Sequence, residues 1–199
     1  MMKSYQTEYP NQVHQLSVSV SKNYYVTKSG ILKYQKKKME ANLNTLESSK
    51  KINLIHYLIR DHASGIFYAE ISTSEEIKNI VDFLFRAWSK KENFSFQGIP
   101  DFLSLPKTVQ AFYPDIQDDL EKYEVQLIEP TSGFQGGIGD TKNIEGFLGF
   151  SADKDISEAY EVSELACKVN SERKLSTTGL TKLEHWTKFV KEIRLPTNA

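Results

Sequence analysis

Apolar and polar residues are patterned most clearly between Lys51 and Thr73, KINLIHYLIRDHASGIFYAEIST. β-Branched and aromatic residues fill Ile52–Arg60 and Ile66–Ser72, and the polar turn Asp61-His62-Ala63-Ser64-Gly65 separates them. This predicts a β-hairpin in which Gly65 supplies the positive φ that tight turns need. The first arm is apolar on both faces near its centre, at Leu54, Ile55, Tyr57, Leu58 and Ile59, as an interior strand is. The period then changes. Ile77, Ile80, Val81, Leu84, Phe85 and Trp88 recur at helical spacing, and Thr73-Ser74-Glu75-Glu76 has the spacing of a capping box. The pattern predicts a helix over Thr73–Lys91 that packs back on the hairpin, an α/β or α+β core.

The same reading extends along the chain. Val13–Val26 alternates and predicts a first strand with its hairpin return. Lys28–Lys51 carries seven lysines against two glutamates, with helical spacing only over Met39–Leu46, and reads as an exposed basic excursion between strands. Pro100–Leu105 reads as a short strand stopped by Pro106, Pro114–Tyr123 as a helix, and Val125–Ile128 as another short strand. A glycine-rich loop over Thr131–Asp140 is then expected, followed by a helix from Thr141 through Ile144, Glu145, Phe147 and Leu148. Two last helices, Ala159–Val169 and Leu183–Ile193, are announced by the spacings Asp155…Glu158 and Thr181…Glu184. Residues 1–11 are polar and expected to fray.

Composition narrows the function classes. With a net charge of −1 and a pI near 6.4, no global field draws the chain to nucleic acid or membrane, which leaves only local patches. The single cysteine, Cys167, excludes an internal disulfide and a cysteine-only zinc site. No signal peptide fits the start MMKSYQTEYPNQ and no apolar run approaches about 18 residues, so a cytoplasmic, soluble protein is expected, with no membrane partner.

Four phrases, in order, resemble the catalytic core of retroviral-type integrases and related bacterial transposases. Pro10-Asn11-Gln12-Val13-His14-Gln15-Leu16-Ser17-Val18-Ser19 is similar to that family's first strand, with His14 where a tryptophan is usual. Asp61-His62-Ala63-Ser64-Gly65 is similar to the turn after its second strand, and Gly98-Ile99-Pro100-Asp101-Phe102-Leu103 to the opening of its fourth. Ile144-Glu145, in a helix after a glycine-rich loop, is similar to its Val/Ile-Glu pair. The resemblance implies an α/β, ribonuclease-H-like, five-stranded mixed sheet flanked by helices. It also implies a core over 12–150 with the basic excursion at 28–51, and C-terminal helices over 151–199 packed on the same domain.

The family's chemistry uses three carboxylates to hold two divalent ions, which activate the attacking hydroxyl and stabilise the leaving oxygen of a phosphodiester. Carried over residue by residue, the first acid falls on Ser17 and the second on Pro106, where Pro106-Lys107-Thr108 stands for Asp-Asn-Gly; only the third, Glu145, matches. A hydroxyl is neutral, proline offers no ligand atom, and Lys107 repels a metal. The expected cofactor is therefore none, and the expected protein is a non-catalytic core of mobile-element origin that binds DNA or a protein partner. Two alternatives stand beside it: a phosphoryl-transfer enzyme using displaced acids (Asp61, Asp101 or Asp115 with Glu145) and Mg²⁺ or Mn²⁺, and a protein-interaction module with no nucleic-acid role. DNA, a transposition-related protein and a second copy in a homodimer are the partners these readings name.

The remaining features have plainer readings. Asp61-His62 reads as a turn that caps its own backbone, and His14 as packing. Gly133–Gly139, GFQGGIG, has neither the dinucleotide spacing nor the P-loop lysine, and reads as a flexible loop. Cys167 reads as inert packing. The candidate nucleic-acid contacts are Lys33, Lys36, Lys37, Lys38, Lys50 and Lys51.

Overall fold

The computed structural model describes residues 7–92, 96–130, 135–159 and 162–197. Its centre is a long strand, β1 (Val13–Val26), to which β2 (Leu32–Tyr34) returns antiparallel. After a short 3₁₀ turn at Leu43–Ser48 come β3 (Ile52–Asp61) and β4 (Phe67–Thr73), the expected hairpin. Helix α1 (Ile80–Trp88) leads to β5 (Phe102–Ser104), α2 (Lys107–Phe112), α3 (Ile116–Glu121) and β6 (Gln126–Ile128). The chain ends in α4 (Gln135–Ser151), α5 (Ile156–Ala159), α6 (Val162–Glu172) and α7 (Lys182–Phe189).

The sheet order is β4-β3-β1-β5-β6, with β2 on β1. β1, β3 and β4 run antiparallel to one another, whereas β5 and β6 join parallel. The expected five-stranded mixed sheet thus gains a sixth strand, because Leu32 is fully buried and draws the start of the basic excursion into the ladder. One face packs Leu16, Val18, Val20, Ile55, Tyr57 and Ile59 under α1 with Phe83 and Trp88. The other packs Leu54, Leu58, Phe67 and Ile71 under α4 and α6 with Ile144, Leu148, Val162 and Ala166. Asn170 of α6 closes the outer edge of β4, its side chain accepting from Phe67 N at 3.0 Å and donating to Phe67 O at 2.9 Å.

Several expectations need correction. Val13–Val26 holds no hairpin: it is one strand with an irregularity between Val20 and Tyr25, and the return is β2. The helix after the hairpin does not start at Thr73, because Thr73 pairs with Leu54 and Ser74 Oγ accepts from Asn53 N, so the sheet uses both residues. Asn79 caps α1 instead, accepting from Val81 N and Asp82 N, and Ile77 is left exposed. Pro106 does more than end a strand. It sits at the N-cap position of α2, its carbonyl accepting from Val109 N and Gln110 N.

The glycine-rich loop is helical from Gln135 onward, its Thr131–Phe134 part lying outside the described residues. Glycine costs a helix roughly 1 kcal/mol per residue, but Asp140, Ile144 and Leu148 are buried and tie this helix to the sheet. Residues 7–11 are not frayed, for Asn11 is 4% exposed; residues 1–6 lie outside the description. Two turn glycines are required by geometry. Gly65 has φ +76, and Gly98 has φ +99 with room for no Cβ, which would meet Asn11 Nδ2 at 2.4 Å.

Candidate functional site

Alternation along β1 turns Gln15, Ser17, Ser19 and Ser21 to the α4 face, opposite Leu16, Val18 and Val20. Gln15 pairs across β1–β3 with Arg60, and Ser19 with His56. On the other side β5 runs parallel, with Gln15 beside Ser104. β5 ends at Ser104, two residues before Pro106, which begins the turn into α2. The two positions at which the resemblance expects aspartates thus lie on β1 and just beyond its parallel neighbour β5, and neither carries an acid.

Glu145 comes to this face, but four residues away from Ser17 along β1. Ser21 Oγ donates to its Oε1 at 3.0 Å, and Tyr24 OH donates to its backbone carbonyl at 3.1 Å. The irregularity after Val20 explains the pair: it shifts the alternation, so that Ser21 and Tyr24 both face α4. Ser21 Oγ also accepts from Tyr24 N at 3.1 Å, which fixes the bend.

The displaced acids do not join Glu145. Asp61 is fully buried at the end of β3, where its carboxylate accepts from Asn11 N (2.7 Å), Ser64 N (2.7 Å) and Ser64 Oγ (2.5 Å). It caps its own turn. Burial pushes its carboxyl up to about 6 against the lowering effect of the Ser64 bonds. Asp101 accepts from Tyr9 OH at 2.9 Å and lies 3.8 Å from Arg194. Asp115 is at the N-terminus of α3, and Lys107, exposed, lies 3.6 Å from Glu129. Among the described residues no three His, Cys, Asp or Glu side chains are grouped to hold a metal. A pair of divalent ions needs several anionic oxygens on one point, and Glu145, bonded to the Ser21 hydroxyl four residues along β1 from Ser17, does not fit it.

A second carboxylate of α4, Asp140, is 1% exposed and clamped by Arg60 Nη1 (2.7 Å) and Lys182 Nζ (3.2 Å). Burial lowers the Lys182 ammonium to about 8, while Asp140 opposes the shift. This clamp pins α4 and α7 to the hairpin and was not legible from local sequence.

His14 is also accounted for. Trp88 Nε1 donates to His14 Nδ1 at 3.2 Å, so Nε2 carries the proton and donates to Asn11 Oδ1 at 2.9 Å. Trp186 Nε1 donates to the same Asn11 oxygen at 3.0 Å, and Asn11 Nδ2 donates to Gln97 O at 3.0 Å. Burial drives the His14 imidazole down to about 3, so it is neutral in the fold. His56, by contrast, is 1% exposed and, among the described residues, neither of its ring nitrogens has a partner; burial lowers it to about 4.

The candidate lysines separate into two groups. Lys33 pairs with Asp153, and Lys51 bonds Gln35 and lies 3.8 Å over the Tyr25 ring. Lys36, Lys37, Lys38 and Lys50 are exposed and, among the described residues, form no ion pair. The run is nonetheless ordered: Asn23 accepts from Gln35 N at 2.8 Å and donates to the carbonyls of Gln35 (2.9 Å) and Lys36 (3.3 Å), and Met39 N reaches Lys22 O at 2.7 Å. Lys37, Lys38, Lys50 and Lys51 line a cleft of about 690 Å³ together with one acid, Glu40, and with Thr45 and Ser48. No described helix is long and apolar enough to cross a membrane.

No protein-family model matches this sequence, and no curated protein matches it. Solved structures do. The chain superposes on a chain of the simian T-cell lymphotropic virus intasome, solved in complex with PP2A regulatory subunit B56 gamma, with TM-score 0.59 and 11% identity, over 98% of this chain and 60% of that one. It also matches the HTLV-2 integrase catalytic core domain with magnesium in a trimeric form, at TM-score 0.55 and 14% identity over 90% of this chain and 99% of that one. The dimeric form gives 0.54 and 14%, over 91% and 98%. This chain therefore spans about three-fifths of the viral intasome chain and nearly the whole of the isolated core. The β3–β4 hairpin against β1, the parallel β5–β6 pair and α4 packed on β3 share the ribonuclease-H-like fold of retroviral integrase catalytic cores.

Proposed function

We propose that this integrase-like core, of mobile-element origin, acts by binding nucleic acid and has no metal-dependent phosphoryl-transfer activity. The observation that carries the reading is the occurrence, on one scaffold, of non-acidic residues at two expected acidic positions and of unpaired cations. Ser17 and Pro106 stand at the two acidic positions, while Lys36, Lys37, Lys38 and Lys50 stay ordered and unpaired among the described residues. Residues 28–51 carry seven lysines and two glutamates, +5; the other 18 cationic and 24 anionic side chains leave −6 on the rest. A near-neutral protein so polarised presents a local field to a polyanion. The neighbours are an intasome and integrase cores by name, and the reading takes its scaffold, not its ligand, from them.

Fluorescence polarisation with labelled DNA tests this. Affinity should fall steeply with salt, because each phosphate contact releases a counterion. Replacing Lys36, Lys37 and Lys38 together by glutamate should abolish binding at moderate salt, and their replacement by alanine should lower the salt slope by about 3. Undiminished binding by both variants, or no binding by wild type at low salt, overturns the proposal.

A further inference from the structure

On the α4 face, where β1 pairs with β2, an open aromatic ring stands near a carboxylate that has no counterion. Tyr34 is 54% exposed, whereas its cross-strand partner Tyr24 is 6% exposed, and their ring centroids lie 5.2 Å apart at 58°. Tyr24 OH donates to the Glu145 carbonyl at 3.1 Å, so a single ring separates Tyr34 from Glu145. The half-buried Glu145 carboxylate accepts from Ser21 Oγ through Oε1, which leaves Oε2 open. It pairs with no cation among the described residues, and Lys142, one turn earlier on α4, does not reach it. Lys33, the residue before Tyr34, is paired with Asp153 instead. Gly146 and Gly149 of α4, both exposed, add no side chain over this corner, and a Cβ on Gly149 would meet Tyr24 OH at 3.2 Å.

We propose that Tyr34 and Glu145 form a docking corner for an arginine-bearing segment of a partner protein. The guanidinium is the group that both parts recognise: its flat face stacks on a phenol ring, and its N–H fork meets a carboxylate. A phosphate finds the opposite here, since an anion without a counterion repels it. The corner is therefore a second surface, separate from the lysine cleft of the nucleic-acid reading, and neither depends on the other. Tyr24, bonded to α4, supports the Tyr34 ring before the partner arrives, which lowers the ordering cost of binding.

The test uses a short fluorescein-labelled peptide of alternating glycine and arginine, with its lysine counterpart beside it, in fluorescence polarisation at low salt. Wild type should prefer the arginine peptide. Tyr34→Ala and Glu145→Gln should each weaken that binding about fivefold, and only Glu145→Gln should also flatten its salt dependence. Tyr34→Trp should retain affinity, since an indole face attracts a cation at least as well. Both weakened variants should melt like wild type, because the Tyr34 ring is on the surface and glutamine still accepts from Ser21. Asp118→Asn, which removes an exposed carboxylate on α3, should change nothing. Equal binding of the arginine peptide by wild type, Tyr34→Ala and Glu145→Gln overturns the corner, as does equal binding of the two peptides by wild type. If Tyr34→Ala weakens DNA binding and leaves peptide binding unchanged, the ring serves nucleic acid and the proposal falls while the nucleic-acid reading stands.

Discussion

The two ends of β1 hold their polar side chains in opposite ways. At the N-terminal end Asn11, His14 and Asp61 are buried, and their donors and acceptors meet one another, two indoles and the backbone of the hairpin and of Gln97. In the middle and at the C-terminal end, Ser17 and Ser19 are half-buried, His56 lacks partners, Glu145 has a serine, and four lysines beyond them face solvent without counterions among the described residues. The first end fastens five parts of the chain together. The second end fastens only α4, through Ser21 and Tyr24, and the lysine run, through Lys22 and Asn23. A core of this kind can therefore lose the acids of its centre and keep its fold, because the polar groups that specify the fold are not those that would carry the chemistry.

The sharpest way to break this comparison is to remove the hub of the first end. Asn11→Ala leaves the buried N–H groups of Trp186 and His14 without an acceptor and places alanine at φ +65. Each orphaned donor costs about 1–3 kcal/mol, so a loss of about 3–4 kcal/mol is expected, a fall in Tm of roughly 10 °C for a chain of this size. A melt followed by circular dichroism that moves by less than about 2 °C would remove the hub from the account.

Acid titration reaches both ends at once. His14 and His56 are held by burial at about 3 and about 4, below their ordinary 6.5. The unfolded chain therefore binds more protons than the folded one between about 4 and 6.5, and stability falls as pH drops through that window. Asp61 works the other way. Its folded value of about 6 lies above the ordinary 3.8, so its contribution is full below 3.8 and is lost as pH rises through 6. Two histidines outweigh one carboxylate, and denaturant midpoints should fall between pH 6.5 and pH 4; a rise over that range would reverse the assignment.

His56→Leu sharpens the same contrast. Replacing an unpartnered buried imidazole by a hydrocarbon of similar size should stabilise the protein at pH 7 by about 1 kcal/mol and flatten the acid limb. The corresponding change at His14 should destabilise, since it strands the Trp88 N–H. Equal signs for the two substitutions, measured by chemical denaturation, would erase the distinction. The smallest effect belongs to Ser21→Ala, about 0.5 kcal/mol, because the half-buried Glu145 can turn to water when the hydroxyl is gone.

Much of the fold was legible in the sequence, and the reasons are local. The β3–β4 hairpin follows from period-two patterning and Gly65, and α7 from the Thr181–Glu184 capping box, both bonds of which form. The misses are places where tertiary contacts overrode local chemistry. Thr73-Ser74 has the composition of a cap but is used by the sheet. Gly136, Gly137 and Gly139 have the composition of a loop but continue a helix whose Asp140 is clamped by Arg60 and Lys182 from distant segments. At the site, the positions of Ser17, Pro106 and Glu145 were legible from the four phrases. The Tyr24–Glu145 bond was not, because it depends on an irregularity in β1 that shifts the side-chain alternation and has no sequence signature of its own.

The integrase-type fold is present, and we propose that its centre does not gather two divalent ions. Calorimetric titration of the protein with Mn²⁺, in parallel with Glu145→Gln, tests it most directly. The account predicts weak, non-saturating heats that are the same for both proteins. A stoichiometric site in the wild type that Glu145→Gln abolishes would contradict it.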